Sequence, residues 1–265
     1  MSNQDTLKSV LNDVCELVRR NARGKNRTIA VSPEVADRLN RIPSAPVRKP
    51  NVPANPVLSK ASAPKPSGVW GPIPPEIQDL GALERYMMDC HACPLGATRT
   101  RLVFGAGNPR AELVFVGEAP GAEEDRQGKP FVGRAGQLLT DIIEKGMNLQ
   151  RAEVYICNVL KCRPPDNRNP LPGEVEQCEP YLIRQLEIIR PKVICTLGTY
   201  ATQTLLKTVE PIGRLRGRWH FYHGIPLRAT YHPAYLLRNP GDKRKTWEDV
   251  LEVLKVYRGE FTPGP

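Results

Sequence analysis

Residues 112–136 read ELVFVGEAPGAEEDRQGKPFVGRAG. An apolar run at 112–116 passes directly into a glycine-rich acidic loop that carries one isolated aromatic, Phe131. A strand that delivers Glu118 into a tight turn, with a phenylalanine held between glycines, is what a pocket needs to stack a flat ligand beside a carboxylate. Such a strand end belongs to an open sheet, so its partners should follow in the chain.

Three further runs have strand length and composition: VYICNV at 154–159, VICTLG at 193–198 and PLRATY at 226–231. Helical periodicity fills the intervals at 136–146, 174–190 and 199–207, and a last helix is expected at 246–257. This alternation predicts an α/β fold with a mostly parallel, four-stranded sheet covered by helices on both faces. Ligands of such sheets lie beyond the carboxyl ends of the strands. Three strand ends then supply one rim: Glu118 after the first, Asn158 at the end of the second, and His232 after the fourth. Singly, each would be an ordinary capping or core residue; their joint placement marks a site.

The flanks are different in kind. Residues 43–75 hold 10 prolines among small and polar residues, the composition of an extended linker. Ahead of it, residues 1–42 form a basic extension in which Leu7, Val10, Leu11, Val14, Leu17 and Val18 give a short amphipathic helix over 5–22. That helix would dock on the core, contact a protein or DNA partner, or stay disordered, since lone helices are marginal. The folded domain is expected at 76–265. Of the net charge of +10, the first 76 residues carry 12 Lys/Arg against 6 Asp/Glu, so the extension is the more basic part and supports a polyanionic partner only weakly. No uninterrupted apolar region starts the chain and no run reaches membrane-spanning length, so a cytoplasmic monomer without membrane contact is expected.

Seven cysteines divide by context. Cys157 and Cys195 sit in apolar strand runs and read as small buried hydrophobes, and Cys15 lies on the N-terminal helix. Cys90, Cys93, Cys162 and Cys178 remain, spaced C-x2-C and C-x15-C across a 68-residue gap. Four thiolates suit tetrahedral zinc or an iron-sulfur cluster, and the count does not choose between them. The wide second pair departs from the paired knuckles of a zinc ribbon and leans toward a cluster. The proline-rich segment between Cys162 and Cys178 would be pinned by a metal at its ends.

The rim chemistry excludes phosphate loops. GAEEDRQGKP separates its glycines by six residues rather than four, no Ser or Thr follows the lysine, and three acids crowd the loop. A planar base fits better. Phe131 offers a face, and Asn158 offers one acceptor and one donor that match the N3 hydrogen and O4 of uracil. His232 would hydrogen-bond a base oxygen that gains negative charge as a glycosidic bond breaks, while Glu118 would orient water or stabilise positive charge on the sugar. In HPAYLLR at 232–238, Leu236 and Leu237 form a candidate wedge for the gap left by an extruded base, and Arg238 a phosphate contact. Arg214, Arg216 and Arg218 alternate, and on a strand they would track a DNA backbone from one face.

Residues 77–258 resemble the family 4, iron-sulfur uracil-DNA glycosylases of the uracil-DNA glycosylase superfamily. The resemblance is carried by CHAC, GEAPGAEEDRQGKPFVGRAG, ICNVLKCRPPDNRNP, the Cys178 helix and HPAYLLR. It implies a three-layer α/β/α domain that hydrolyses uracil from DNA and leaves an abasic site. It also implies a [4Fe-4S] cluster on Cys90, Cys93, Cys162 and Cys178. By motif, Gly117, Glu118 and Ala119 line the uracil pocket, Phe131 stacks on the base, Asn158 reads its edge, and His232 stabilises the departing uracil. One cluster-bearing relative captures uracil-DNA covalently through a histidine in a basic insertion after PFVG. GRAGQLL here runs straight into a helix, which favours turnover over capture; the alternative is a non-catalytic or covalent uracil-DNA binding module of the same fold, and no rim lysine suits imine chemistry.

Overall fold

A computed structural model describes residues 72–264. The N-terminal helix, Cys15 and nearly all of the expected linker lie outside these residues. Within them the order is α1 (Leu80–Met87), α2 (Leu95–Thr98), β1 (Ala106–Gly107), β2 (Leu113–Gly117), α3 (Ala122–Gln127), α4 (Arg134–Asp141) with a π-helical extension (Ile142–Gly146), and β3 (Tyr155–Asn158). There follow α5 (Pro172–Ile189), β4 (Val193–Leu197), α6 (Thr199–Leu206), α7 (Ile212–Leu215), β5 (Trp219–Tyr222), β6 (Ile225–Thr230), α8 (Pro233–Arg238) and α9 (Lys243–Tyr257).

The sheet has six strands in the order β1-β3-β2-β4-β6-β5. The four expected strands are its parallel centre, with Gly117 beside Asn158 and Leu197 beside Thr230 at their carboxyl ends. The expectation of four strands falls short by the two edges, both antiparallel. β1 is only two residues long and has no periodicity to read. β5 pairs with β6 across a two-residue turn, His223-Gly224, in which both residues have positive φ, the geometry of a primed hairpin turn. A histidine at the first turn position hides the usual Asn-Gly or Asp-Gly signal.

Alternation along the central strands builds three layers. Val114 and Val116 of β2 pack with Leu182 and Leu186 of α5, Ala201 and Leu205 of α6, and the α1 residues Leu83 and Met87. Leu113 and Phe115 point the other way, against Leu139 of α4 and Val250, Val253 and Leu254 of α9. β2 is buried along its whole length, as a strand covered on both faces must be. Burying each such Leu or Phe contributes about 1.5–3 kcal/mol, so the sheet centre is the rigid base on which the rim stands. Cys157 and Cys195 are fully buried within it, as their context required.

Parallel strand order reverses between β2 and β4: the chain goes from β2 to β3 on one side, then to β4 on the other. The crevice of a doubly wound sheet opens at that point.

Candidate functional site in the crevice at the strand ends

A cavity of about 590 Å³ opens there. Its wall includes Glu118 and Ala119 after β2, Asn158 ending β3, Gly198 to Tyr200 after β4, and Tyr231 and His232 after β6. Phe131 reaches it from the loop before α4, and Arg238 from the end of α8. The sheet therefore gathers residues more than 110 positions apart into one wall.

Gly117 sets the spacing at the base. A Cβ there would lie 2.6 Å from Phe131 Cζ and closer still to Asn158 Oδ1, so only glycine lets the ring and the amide meet over β2. Asn158 is buried, and its Oδ1 has no hydrogen-bond partner among the described residues. An unpaired buried acceptor costs about 1–3 kcal/mol, which a ligand donor in the cavity would recover.

Phe131 has φ 52°, the left-handed region that a bulky residue enters only under constraint. The constraint is visible. Arg151 Nη2 donates to the carbonyls of Pro130 at 2.8 Å and Phe131 at 3.0 Å, while its Nη1 donates to Thr140 Oγ1 at 3.0 Å. On the other side Glu124 Oε1 accepts from the amides of Val132 at 2.9 Å and Gly133 at 3.0 Å, and Asp125 Oδ1 accepts from Thr100 N–H at 2.9 Å. Two of the three acids that were expected to repel phosphate are thus spent on holding the loop. Glu123 pairs with Arg126.

His232 caps α8: its Nδ1 accepts from the Ala234 amide at 3.1 Å. The acceptor role of Nδ1 leaves the proton on Nε2. Burial, with the Arg238 charge behind it, lowers the imidazole to about 4, so the ring is neutral near pH 7. Its centroid lies 5.6 Å from that of Phe131. Burial raises Glu118 to about 7. A neutral donor and a carboxyl poised near neutrality thus share one cavity, a pairing typical of acid-base sites.

Two expectations on the rim are corrected. The 233–238 segment is a short helix rather than a loop, so neighbouring side chains diverge by about 100°. Leu236 is 1% exposed and belongs to the core, whereas Leu237 is exposed. The arginine stripe does not form either, because α7 and the turn at Gly217 replace the expected strand. Arg216 turns inward to the fully buried Asp249, Nε to Oδ2 at 2.8 Å, and that carboxylate also accepts from Thr230 Oγ1 at 3.0 Å. Arg218 pairs with Glu210 at 3.1 Å. A buried carboxylate left unpaired is strongly destabilising; Arg216 and the buried Arg228, Nε to Oδ1 at 3.4 Å, share the pairing of Asp249.

Several wall residues had no sequence signal. Tyr231 and Tyr235 stack at 4.9 Å, and Asn169, from the proline-rich loop, donates to the Tyr200 hydroxyl at the mouth. That loop is held by Arg168, which pairs with the buried Glu174 (Nη1 to Oε2, 2.9 Å), and by the bond from Leu171 N–H to Glu174 at 2.8 Å.

Cys90, Cys162 and Cys178 are buried and Cys93 half-buried, in one region of the core that borders α1 and α5. Burial pushes the Cys162 thiol up to about 11; Arg99 opposes it, and the neighbouring Cys93 and Cys90 add to it. Cys178 is pushed up to about 12 by burial, with Cys162 and Cys93 adding and Lys161 opposing. Arg99 also donates to Cys162 Sγ at 3.4 Å and to the Cys90 carbonyl at 2.5 Å. Among the described residues, no three His, Cys, Asp or Glu side chains are arranged around one point as ligands of a single metal ion.

The uracil DNA glycosylase superfamily model matches residues 104–255. A type-4 uracil-DNA glycosylase of Archaeoglobus fulgidus is 47% identical over 197 residues, covering 71% of this chain and 97% of the relative. One of Thermotoga maritima is 47% identical over 176 residues, 64% of this chain and 91% of the relative. A type-5 uracil-DNA glycosylase of Pyrobaculum aerophilum is more distant, at 32% over 165 residues, 56% of this chain and 72% of the relative. The match spans the sheet, the cavity wall and the cysteine helix, and the chain belongs to the uracil-DNA glycosylase superfamily, in its type-4 branch.

Proposed function

We propose that the chain is a monofunctional uracil-DNA glycosylase that hydrolyses the bond between uracil and deoxyribose, leaving an abasic site for base excision repair. The observation that carries this reading is the buried, unpartnered Asn158 Oδ1 beside the Phe131 ring and the neutral His232. Uracil extruded from the stack would lie on Phe131, its N3 hydrogen on Asn158 Oδ1 and its O4 on the amide nitrogen. Cytosine offers an acceptor at N3 and a donor at C4, the reverse pattern. The Nε2 hydrogen of His232 donates to the uracil oxygen that gains charge as the bond breaks. Glu118 supplies a carboxylate that orients water or stabilises the cationic sugar. No lysine lines the cavity among the described residues, so an imine with the abasic sugar has no donor there.

Residues 76–265 form the catalytic domain in this reading, acting as a monomer. Leu237 takes the wedge role, Arg238 binds phosphate, and the basic N-terminal extension adds contacts to DNA or a protein partner. The four cysteines hold a [4Fe-4S] cluster. Their donor set is all thiol and largely buried, with Arg99 placed against the resulting negative charge. Four thiol donors are the ligand set that an iron-sulfur cluster takes. Cys90 and Cys93 after α1, Cys162 before the proline-rich loop and Cys178 on α5 would hold the cluster, which would supply a structural tie rather than a step of the hydrolysis.

The test is incubation of the purified chain with a uracil-containing oligonucleotide, followed by alkali. Strand cleavage at uracil with free uracil in solution is expected. An intact strand, under conditions where a known glycosylase cuts, overturns the reading, and retention of the oligonucleotide without free uracil marks a binding module instead.

A further inference from the structure

Two tyrosines of the crevice wall have no part in the chemistry assigned above. Tyr231 and Tyr235 both line the cavity, are half-buried, and stack with ring centroids 4.9 Å apart and planes 26° apart. The Arg216 guanidinium lies over the Tyr231 ring, its Cζ 5.5 Å from the centroid. A ring has two faces and Tyr235 takes one of them, so Arg216, Tyr231 and Tyr235 form a single column.

Both ends of the column are tied to the start of α9. Arg216 is held by the fully buried Asp249, Nε to Oδ2 at 2.8 Å, and its Nη2 donates to the Lys245 carbonyl at 2.5 Å. The Tyr235 hydroxyl donates to Asp242 Oδ2 at 2.6 Å, and Asp242 pairs with Lys245 at 2.9 Å. Both faces of Tyr231 are therefore covered, whereas among the described residues no ring or cation is stacked on the second face of Tyr235. An aromatic face fixed in a cavity wall binds a planar partner with little order left to impose.

The sequence of groups along α8 identifies that partner. His232, Tyr235 and Arg238 recur every three residues, all line the crevice, and follow one another at about 4.5 Å along the helix axis. In the reading above, the first donates to uracil and the last binds phosphate. Tyr235 stands between them, where the strand runs from the extruded base to its neighbouring nucleotide.

We propose that Tyr235 is a stacking subsite for the nucleobase next to the extruded uracil, with Tyr231 and Arg216 as its positioning residues. The proposal rests on the uracil-DNA reading above. Every base has a flat face, so the subsite responds to the presence of a neighbouring base and not to its identity.

The test uses the full chain as wild type, Tyr235→Leu and Tyr235→Phe, on single-stranded oligonucleotides with one uracil. The nucleotide on its 5′ or its 3′ side is left intact or replaced by an abasic tetrahydrofuran. For the wild type, kcat/KM should fall about fivefold to a hundredfold when the base is missing on one of the two sides. Tyr235→Leu should lose a similar factor on the intact strand and then lose nothing more from the missing base on that side. Tyr235→Phe keeps the ring and should keep the sensitivity. A leucine variant still as sensitive as wild type, or a wild type indifferent to both missing bases, overturns the proposal. If Tyr235→Leu does not fold, the wild type decides: 2-aminopurine, a base that fluoresces when unstacked, is placed on the sensitive side of a 2′-fluoro uridine that resists cleavage. Fluorescence that stays quenched on binding supports the subsite, and brightening overturns it. A wild type that releases uracil from none of these strands overturns the glycosylase reading instead.

Discussion

The Nδ1 atom of His232 accepts the Ala234 amide hydrogen at 3.1 Å, so a helix cap and the ring's tautomer are set by one bond. An α8 helix starting at Pro233 places that amide, and burial beside Arg238 keeps the imidazole uncharged.

A pH profile follows. His232 sits at about 4 and contributes no titration to activity between pH 5 and 8. Glu118, raised to about 7 by burial, does titrate there. The kcat/KM of the free enzyme should therefore rise with pH through a single limb near 7, which Glu118→Gln abolishes along with most activity. The two groups act on stability in opposite senses. Unfolded His232 takes up a proton near its ordinary 6.5 while the folded ring does not, so its contribution is present above that pH and is lost as pH falls toward 4. Folded Glu118 keeps a proton that the unfolded chain has released, so its contribution falls as pH rises from about 4.5 to about 7. Thermal melts of His232→Gln and Glu118→Gln across this window separate the two slopes.

Gly117→Ala should damage recognition more than folding. The added methyl meets Phe131 Cζ at 2.6 Å and crowds Asn158 Oδ1. Overpacking of this kind costs about 1–3 kcal/mol, and the displacement falls on Phe131 and Asn158, the two groups proposed to hold the base. A kcat/KM reduced about a hundredfold or more, with Tm lowered by only a few degrees, is the expected outcome; wild-type kinetics would show that the ring and amide do not meet the substrate here.

Arg151 touches no part of the cavity, yet it holds the carbonyls of Pro130 and Phe131. Arg151→Met keeps much of the side-chain packing and removes those bonds. The Phe131 backbone, at φ 52°, then loses its brace and relaxes toward ordinary values. KM for uracil-DNA should rise about tenfold while iron content stays at the wild-type level.

Substitutions in the cavity and among the cysteines should divide cleanly. Phe131→Ala and Asn158→Ala are expected to keep the metal and lose about tenfold to hundredfold in activity, from about 1–3 kcal/mol of lost stacking or hydrogen bonding. Cys162→Ala should lose iron and its absorbance near roughly 400 nm and unfold at lower temperature. Equal loss of metal in all three variants would remove the division between the pocket and the thiolate region.

Much of the rim was legible in the chain because parallel sheets end at predictable places. The run at 113–117 is apolar throughout, so its strand, its burial and the placement of Glu118 just beyond its end follow from composition and length. Asn158 and His232 were found the same way, each at the end of a run with strand periodicity. The four cysteines were separated from the buried pair by context alone. What escaped was what periodicity does not encode: β1 is too short to have a period, and the β5–β6 hairpin turns on a histidine.

Side-chain direction was decided by tertiary structure. Leu236 and Leu237 are equivalent in sequence, and the helical turn of α8 sends one inward and leaves the other exposed. Arg216 reads as one basic residue among three until Asp249, 33 positions later, arrives fully buried beneath it. Nothing in the sequence marks Lys161 for burial, yet it is fully enclosed and its ammonium donates to Gln185 of α5. Periodic burial is a local property, so the chain alone determined which strands form and where their ends present chemistry. Charge pairing and packing are satisfied between distant residues, so only the folded chain could decide which cations stay at the surface and which are drawn inside.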